Sequence, residues 1–86
     1  MLFRSASEWA RKGIRVNALA PGWFETEMNA DMFADDRAAA WMADGAPLGR
    51  AGVEGELDGA LLFLASDASS FVTGAVLPVD GGWTAI

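Results

Sequence analysis

The residues best suited to chemistry lie between Ile14 and Thr26, Ile-Arg-Val-Asn-Ala-Leu-Ala-Pro-Gly-Trp-Phe-Glu-Thr. An apolar run stops at Pro21-Gly22, and a hydroxyl follows at Thr26. Proline has a fixed φ and no N–H, so it ends a strand's ladder. Gly22 then lets the backbone turn sharply and lets another group approach it closely. In open α/β sheets, ligands sit just beyond the carboxyl ends of strands. A strand closed by Pro-Gly, with a polar hydroxyl in an otherwise apolar loop, is a candidate ligand edge. A plain strand-ending turn has the same signature, and spacing alone does not separate the two.

Other candidates are weaker. Gly49-x-x-Gly52-x-x-Gly55 follows no strand and is not followed by Lys-Ser/Thr, so a flexible approach to a helix is the better reading than a phosphate loop. Asp31, Asp35, Asp36 and Asp44 have no histidine to join them, and Arg37 adjoins the Asp35-Asp36 pair. A solvated helical face fits them better than a metal site, and no metal is expected. The chain has no histidine and no cysteine. That removes Ser-His-Asp and Cys-His chemistry, the commonest zinc ligand and any disulfide. Cysteine usage fits a cytoplasmic setting.

Eighty-six residues allow one domain, residues 1–86. At 52 % hydrophobic, with 4 Trp and 5 Phe, the chain is too apolar for a disordered tail. It also carries more apolar surface than a chain this size hides alone. The net charge of −6 makes nucleic acid and anionic membrane surfaces poor partners. No apolar run approaches the ~18 residues of a membrane span.

The elements that would position the Pro-Gly edge follow from periodicity. Residues 5–12 read as the end of a helix: Ala6, Trp9 and Ala10 share a face, Arg11 and Lys12 suit the last turn, and Gly13 stands at the C′ position. Residues 14–20 read as a strand covered on both faces. Residues 23–47 read as an irregular or short-helical excursion, with Met28, Met32, Phe33, Trp41 and Met42 recurring at helical spacing. Residues 53–66 read as the clearest helix, apolar all round in its second half and so buried on more than one side. Residues 75–79 read as a second strand, placed at an edge by Pro78. Strand, helix, strand is a βαβ unit with a parallel pair. Asn17 inside a buried strand needs a partner, and a hydrogen bond to a neighbouring loop is the expected one.

Several segments together resemble the short-chain dehydrogenase/reductases: Glu8-Trp9-Ala10, Gly13-Ile14-Arg15-Val16-Asn17, Pro21-Gly22 with Thr26, Phe63-Leu64-Ala65-Ser66, Thr73-Gly74 and Val79-Asp80-Gly81-Gly82. The resemblance runs from about Ser7 to Thr84 and corresponds to the last third of such an enzyme. It implies part of a Rossmann-type, doubly wound parallel α/β sheet, from an oxidoreductase that moves a hydride between NAD or NADP and a carbonyl or alcohol. It implies that Pro21, Gly22, Phe24 and Thr26 meet the nicotinamide side of the cofactor. It implies that Trp23, Met28, Met32, Phe33, Trp41 and Met42, within the 23–47 segment, form a substrate lid. Ordinary packing of short helices is the competing reading of those six residues. The family's proton donor is a tyrosine, and this chain has none. No catalytic residue is therefore assigned here, and the 86 residues alone are expected to be inactive. Leu57–Ala65 and Ala75–Val79 are expected to form a homo-oligomer contact. The rival expectation is a non-catalytic dimerisation module built from the same unit.

Overall fold

The computed structural model describes residues 1–85. Helix α1 spans Leu2–Trp9 and tightens into a 3-10 turn at Ala10–Lys12. Residues 5–12 form its end, as expected, and its N-terminal part packs on a loop: a Cβ on Gly74 would lie 3.6 Å from the Ala6 Cβ and 3.9 Å from the Phe3 ring. Gly13 ends it in the left-handed region (φ +81°), with its N–H donating to the Ala10 carbonyl. The glycine signal was read correctly because only this residue type enters that region freely.

Strand β1 (Ala18–Pro21) and strand β2 (Val76–Val79) pair in parallel, Ala18 opposite Val76 and Pro21 opposite Val79. β1 is shorter than the expected 14–20. Upstream of Ala18, side chains replace the ladder. The Val16 N–H donates to Thr73 Oγ1, and Asn17 bridges the 72–75 loop, donating to the Val72 carbonyl and accepting the Ala75 N–H. This is the loop partner that a buried asparagine requires. Pro21 belongs to the ladder rather than ending it. The Ala18 and Gly22 N–H groups donate to the Ala75 and Val79 carbonyls, so alternate residues face the partner strand and Pro21 faces away. The same alternation turns Pro78 toward the open edge of β2, where a missing N–H does no harm.

Between the strands lie α2 (Ala30–Ala34), α3 (Asp36–Gly45) and α4 (Asp58–Ala65). Asp35, one of the acidic residues considered above, caps α3 by accepting the Arg37 and Ala38 N–H groups. The expected helix 53–66 is cut to α4. Gly55 at φ +92° cannot continue a helix, and residues 53–57 form turns instead.

The buried apolar residues are Ala6, Met42 and Ala46, with Ser69 buried among polar groups. That is a thin core. The accessible surface is 6442 Å², against roughly 4,900 Å² for a compact monomer of this mass. The radius of gyration is 15.7 Å, against about 12 Å. The excess is apolar in large part: Leu61, Leu62 and Phe63 of α4 and Val76 of β2 are all exposed. Among the described residues no helix is long and apolar enough to cross a membrane.

Candidate functional site

The site is built at the carboxyl end of β1. Gly22 lies against β2's exit: a Cβ there would sit 2.7 Å from the Asp80 Cα. Close approach, and not a positive φ, is what requires glycine at this point. Beyond it the chain runs extended past a second segment. The Gly52 N–H donates to the Trp23 carbonyl and the Glu25 N–H donates to the Gly52 carbonyl, so Phe24 pairs with Gly52 in an isolated parallel bridge. In an extended segment the intervening residue's polar groups face the opposite way. The Phe24 carbonyl there accepts from Asn29 Nδ2 at 2.7 Å. The Phe24 N–H points to the same side, and no acceptor meets it among the described residues.

Asn29 fixes the loop from its far end. Its Oδ1 accepts the Thr26 N–H at 2.7 Å, and its own N–H donates to the Thr26 carbonyl. Thr26 is exposed at the start of the 3-10 turn Glu27–Asn29. Sequence reasoning missed Asn29, although Thr-x-x-Asn stands at capping-box spacing. A cavity of about 400 Å³ opens beside the loop, lined by Phe24, Thr26, Val53 and Leu57 together with Glu25, Glu27 and Glu54.

The six residues expected to form a lid do not make one surface. Met42 is buried at 1 % exposure and forms core, whereas Met28 is 98 % exposed. Trp23 and Trp41 come together with Trp83, which sequence reasoning did not single out. Their ring centroids stand 5.5–6.5 Å apart in edge-to-face pairs. Gly45 makes room for the Trp83 ring, since a Cβ would come within 2.2 Å of it. Phe33 and Met32 lie on α2, Phe33 half-buried against a shallow cavity with Ala39, Ala43 and Val53. A second cavity of about 400 Å³ lies at the strand ends between Pro21, Trp23, Asp80, Trp83 and Thr84.

Two carboxylates brace the surroundings. The Asp80 carboxylate accepts the Thr84 hydroxyl at 2.8 Å and the Gly82 and Thr84 N–H groups. These bonds hold its pKa below the ordinary carboxylate value, the Thr84 hydroxyl most of all. Glu56 takes a two-pronged ion pair from Arg50, at 2.6 and 2.8 Å, and accepts the Val53 N–H at 2.9 Å. Its pKa is lowered to about 2, chiefly by the Arg50 hydrogen bonds.

A two-stranded parallel pair with helices between its strands is a piece of a Rossmann-type α/β sheet, and the comparisons agree. The profile of the family described as Enoyl-(Acyl carrier protein) reductase matches residues 2–84. The gluconate 5-dehydrogenase of Gluconobacter oxydans is 51 % identical over 79 residues, covering 92 % of this chain and 31 % of that protein. The galactitol 2-dehydrogenase (L-tagatose-forming) of Cereibacter sphaeroides is 52 % identical, with 92 % and 31 % covered. The crystal structure of a gluconate 5-dehydrogenase from Burkholderia cenocepacia, in complex with NADP and tartrate, superposes with a TM-score of 0.91 at 47 % identity, over 99 % of this chain and 33 % of that one. The chain belongs to the short-chain dehydrogenase/reductase family. It spans about a third of the length of the relatives it matches.

Proposed function

We propose that these residues form the nicotinamide-side and substrate-side wall of an NAD(P)-dependent oxidoreductase acting on a carbonyl or alcohol, its C-terminal third by resemblance. The observation that carries the reading is the Phe24–Thr26 loop. It offers a backbone N–H with no acceptor among the described residues, an exposed threonine and an adjoining cavity at the carboxyl end of a parallel strand. That set suits the amide of a nicotinamide ring, which needs both donors and acceptors. When bound, the ring supplies or takes up the hydride. The protein's part here is orientation: Phe24 and Thr26 hold the carboxamide, which decides the face of the ring turned to substrate. Trp23 and Trp41, joined by Trp83, line the substrate side; Met28, Met32 and Phe33 supply a separate lid surface on the 27–34 segment, and Met42 serves as core. The proton donor is supplied from outside these 86 residues, since the chain lacks tyrosine.

The exposed Leu61, Leu62 and Phe63 on α4 and the open edge of β2 supply the subunit contact, through Leu57–Ala65 and Ala75–Val79. A two-fold copy of an apolar helix beside a strand edge is self-complementary. The placement is cytoplasmic.

The test is a chimaera in which residues 1–86 replace the C-terminal third of the Gluconobacter gluconate 5-dehydrogenase. It should bind the nicotinamide dinucleotide the parent enzyme uses and carry out the parent's hydride transfer, with the oxidised cofactor taking up the hydride or the reduced one giving it, and Thr26→Ala should raise the KM for the dinucleotide several-fold. The isolated chain should show no turnover. A chimaera that folds and binds the dinucleotide with no hydride transfer, or turnover by the isolated chain, would refute the reading.

A further inference from the structure

We propose that the Arg50–Glu56 ion pair is a positioning device for the cofactor-contacting backbone at Phe24, acting through Gly52. The inference rests on the reading of residues 21–26 as the nicotinamide loop. Arg50 Nη1 donates to the Ala51 carbonyl at 3.1 Å, and Glu56 Oε1 accepts the Val53 N–H at 2.9 Å. The two ends of one ion pair therefore hold the residues on either side of Gly52. Gly52 in turn makes both hydrogen bonds that keep Trp23–Glu25 extended. The Phe24 ring closes over it so tightly that a Cβ on Gly52 would lie 2.4 Å from a ring carbon.

Residues 46–57 contain no helix or strand, only bends, turns and the Gly52 bridge. Their first part is tied elsewhere, with the Leu48 N–H donating to the Gly81 carbonyl and the Gly49 N–H to the Ala46 carbonyl, so the ion pair is the side-chain contact that brackets Gly52 itself. The pair is also a poor candidate for a general stabiliser. Its side chains are 53 % and 37 % exposed, and exposed ion pairs contribute little to global stability. A two-pronged fork is geometrically specific, however, and this is what local positioning needs. Loss of the pair should therefore loosen the loop without loosening the sheet.

The experiment is amide hydrogen exchange by NMR on the 86-residue chain, comparing Glu25 and Gly52 with the β-ladder amides of Ala18 and Gly22. In Glu56→Ala the Glu25 and Gly52 amides should exchange roughly tenfold faster, while Ala18 and Gly22 stay within about twofold. Glu56→Gln keeps the shape and an acceptor, so it should restore part of the protection. Arg50→Lys keeps the charge but not the fork, and should resemble Glu56→Ala. Unchanged protection at Glu25 and Gly52 overturns the proposal, and so does an equal loss at all four amides. By itself the chain is expected to bind the cofactor weakly or not at all, so the cofactor arm uses the chimaera described above: its affinity for the nicotinamide dinucleotide should fall when it carries Glu56→Ala. Absence of any dinucleotide binding by the folded chimaera sinks the cofactor reading alone, and leaves the exchange data to decide the positioning.

Discussion

Gly22→Ala is the sharpest test of the packing at the strand ends. A Cβ at Gly22 would lie 2.7 Å from both the Cα and the Cβ of Asp80, and 3.3 Å from its carbonyl oxygen. Carbon atoms prefer about 3.5–4.0 Å, so the two strand exits must separate by close to ~1 Å. The Gly22 N–H to Val79 carbonyl bond, 3.0 Å long, spans the same gap and would be stretched out of range. Gly22 has no positive φ, so backbone strain does not confound the result. Overpacking costs about 1–3 kcal/mol and the lost hydrogen bond about 1 kcal/mol, a total of about 2–4 kcal/mol. A chain of this length has a stability of roughly 4–13 kcal/mol, and this one, with its thin core, belongs at the low end. Urea unfolding followed by tryptophan fluorescence should show the midpoint falling by about 2–4 M, given a slope of about 1 kcal/mol/M. Gly59→Ala is the internal control. It lies in α4 with nothing within 4 Å of the added Cβ, and should stabilise by about 0.5 kcal/mol. A midpoint for Gly22→Ala within ~0.3 M of the parent would refute the close-approach argument. Equal loss in the Gly59 control would refute it as well.

The remaining predictions concern separate devices. Met42→Ala should cost about 2–4 kcal/mol by leaving a cavity in the core, whereas Met28→Ala at 98 % exposure should change the unfolding midpoint negligibly. Arg15 donates four hydrogen bonds, to Ser69 Oγ and to the Leu64, Ser66 and Val72 carbonyls. Arg15→Lys cannot reproduce that fork and should lower stability by about 1–3 kcal/mol in the same unfolding assay. Glu56 and Asp80 both have depressed pKa values, Glu56 at about 2. Their contribution is complete above the ordinary carboxylate range and fades as pH falls toward 2, because the unfolded chain then binds more protons than the folded one. Unfolding midpoints between pH 6 and 2 should decline, and Glu56→Gln should remove only a small part of that decline, because its ion pair is exposed.

Residues with a local signature were legible in the sequence. Gly13 announced a helix end because only glycine enters the left-handed region without penalty. Asn17 announced a loop contact because a polar amide between apolar neighbours must find partners. Pro78 announced an edge because it lacks an N–H. The errors share one cause as well. Residues 53–57 carry the acidic, apolar-spaced pattern of a helix start, yet Gly55 and the Arg50–Glu56 pair hold them in turns. Pro21 reads as a ladder breaker until the parallel register shows which way it faces. Met42 and Met28 look alike by spacing, and only packing separates core from surface.

By itself the sequence determined the class: a parallel βαβ unit, glycine and proline punctuation, and motifs in family order over nearly the whole chain. Those are properties of backbone sterics and of residue periodicity, which act within a few positions. The tertiary structure alone decided that Gly52 would brace Phe24 and that Trp83 would join Trp23 and Trp41. These contacts join residues far apart along the chain. Hydrogen bonds and ring packing fall off within a few ångströms, so no local pattern encodes them until the chain has closed on itself.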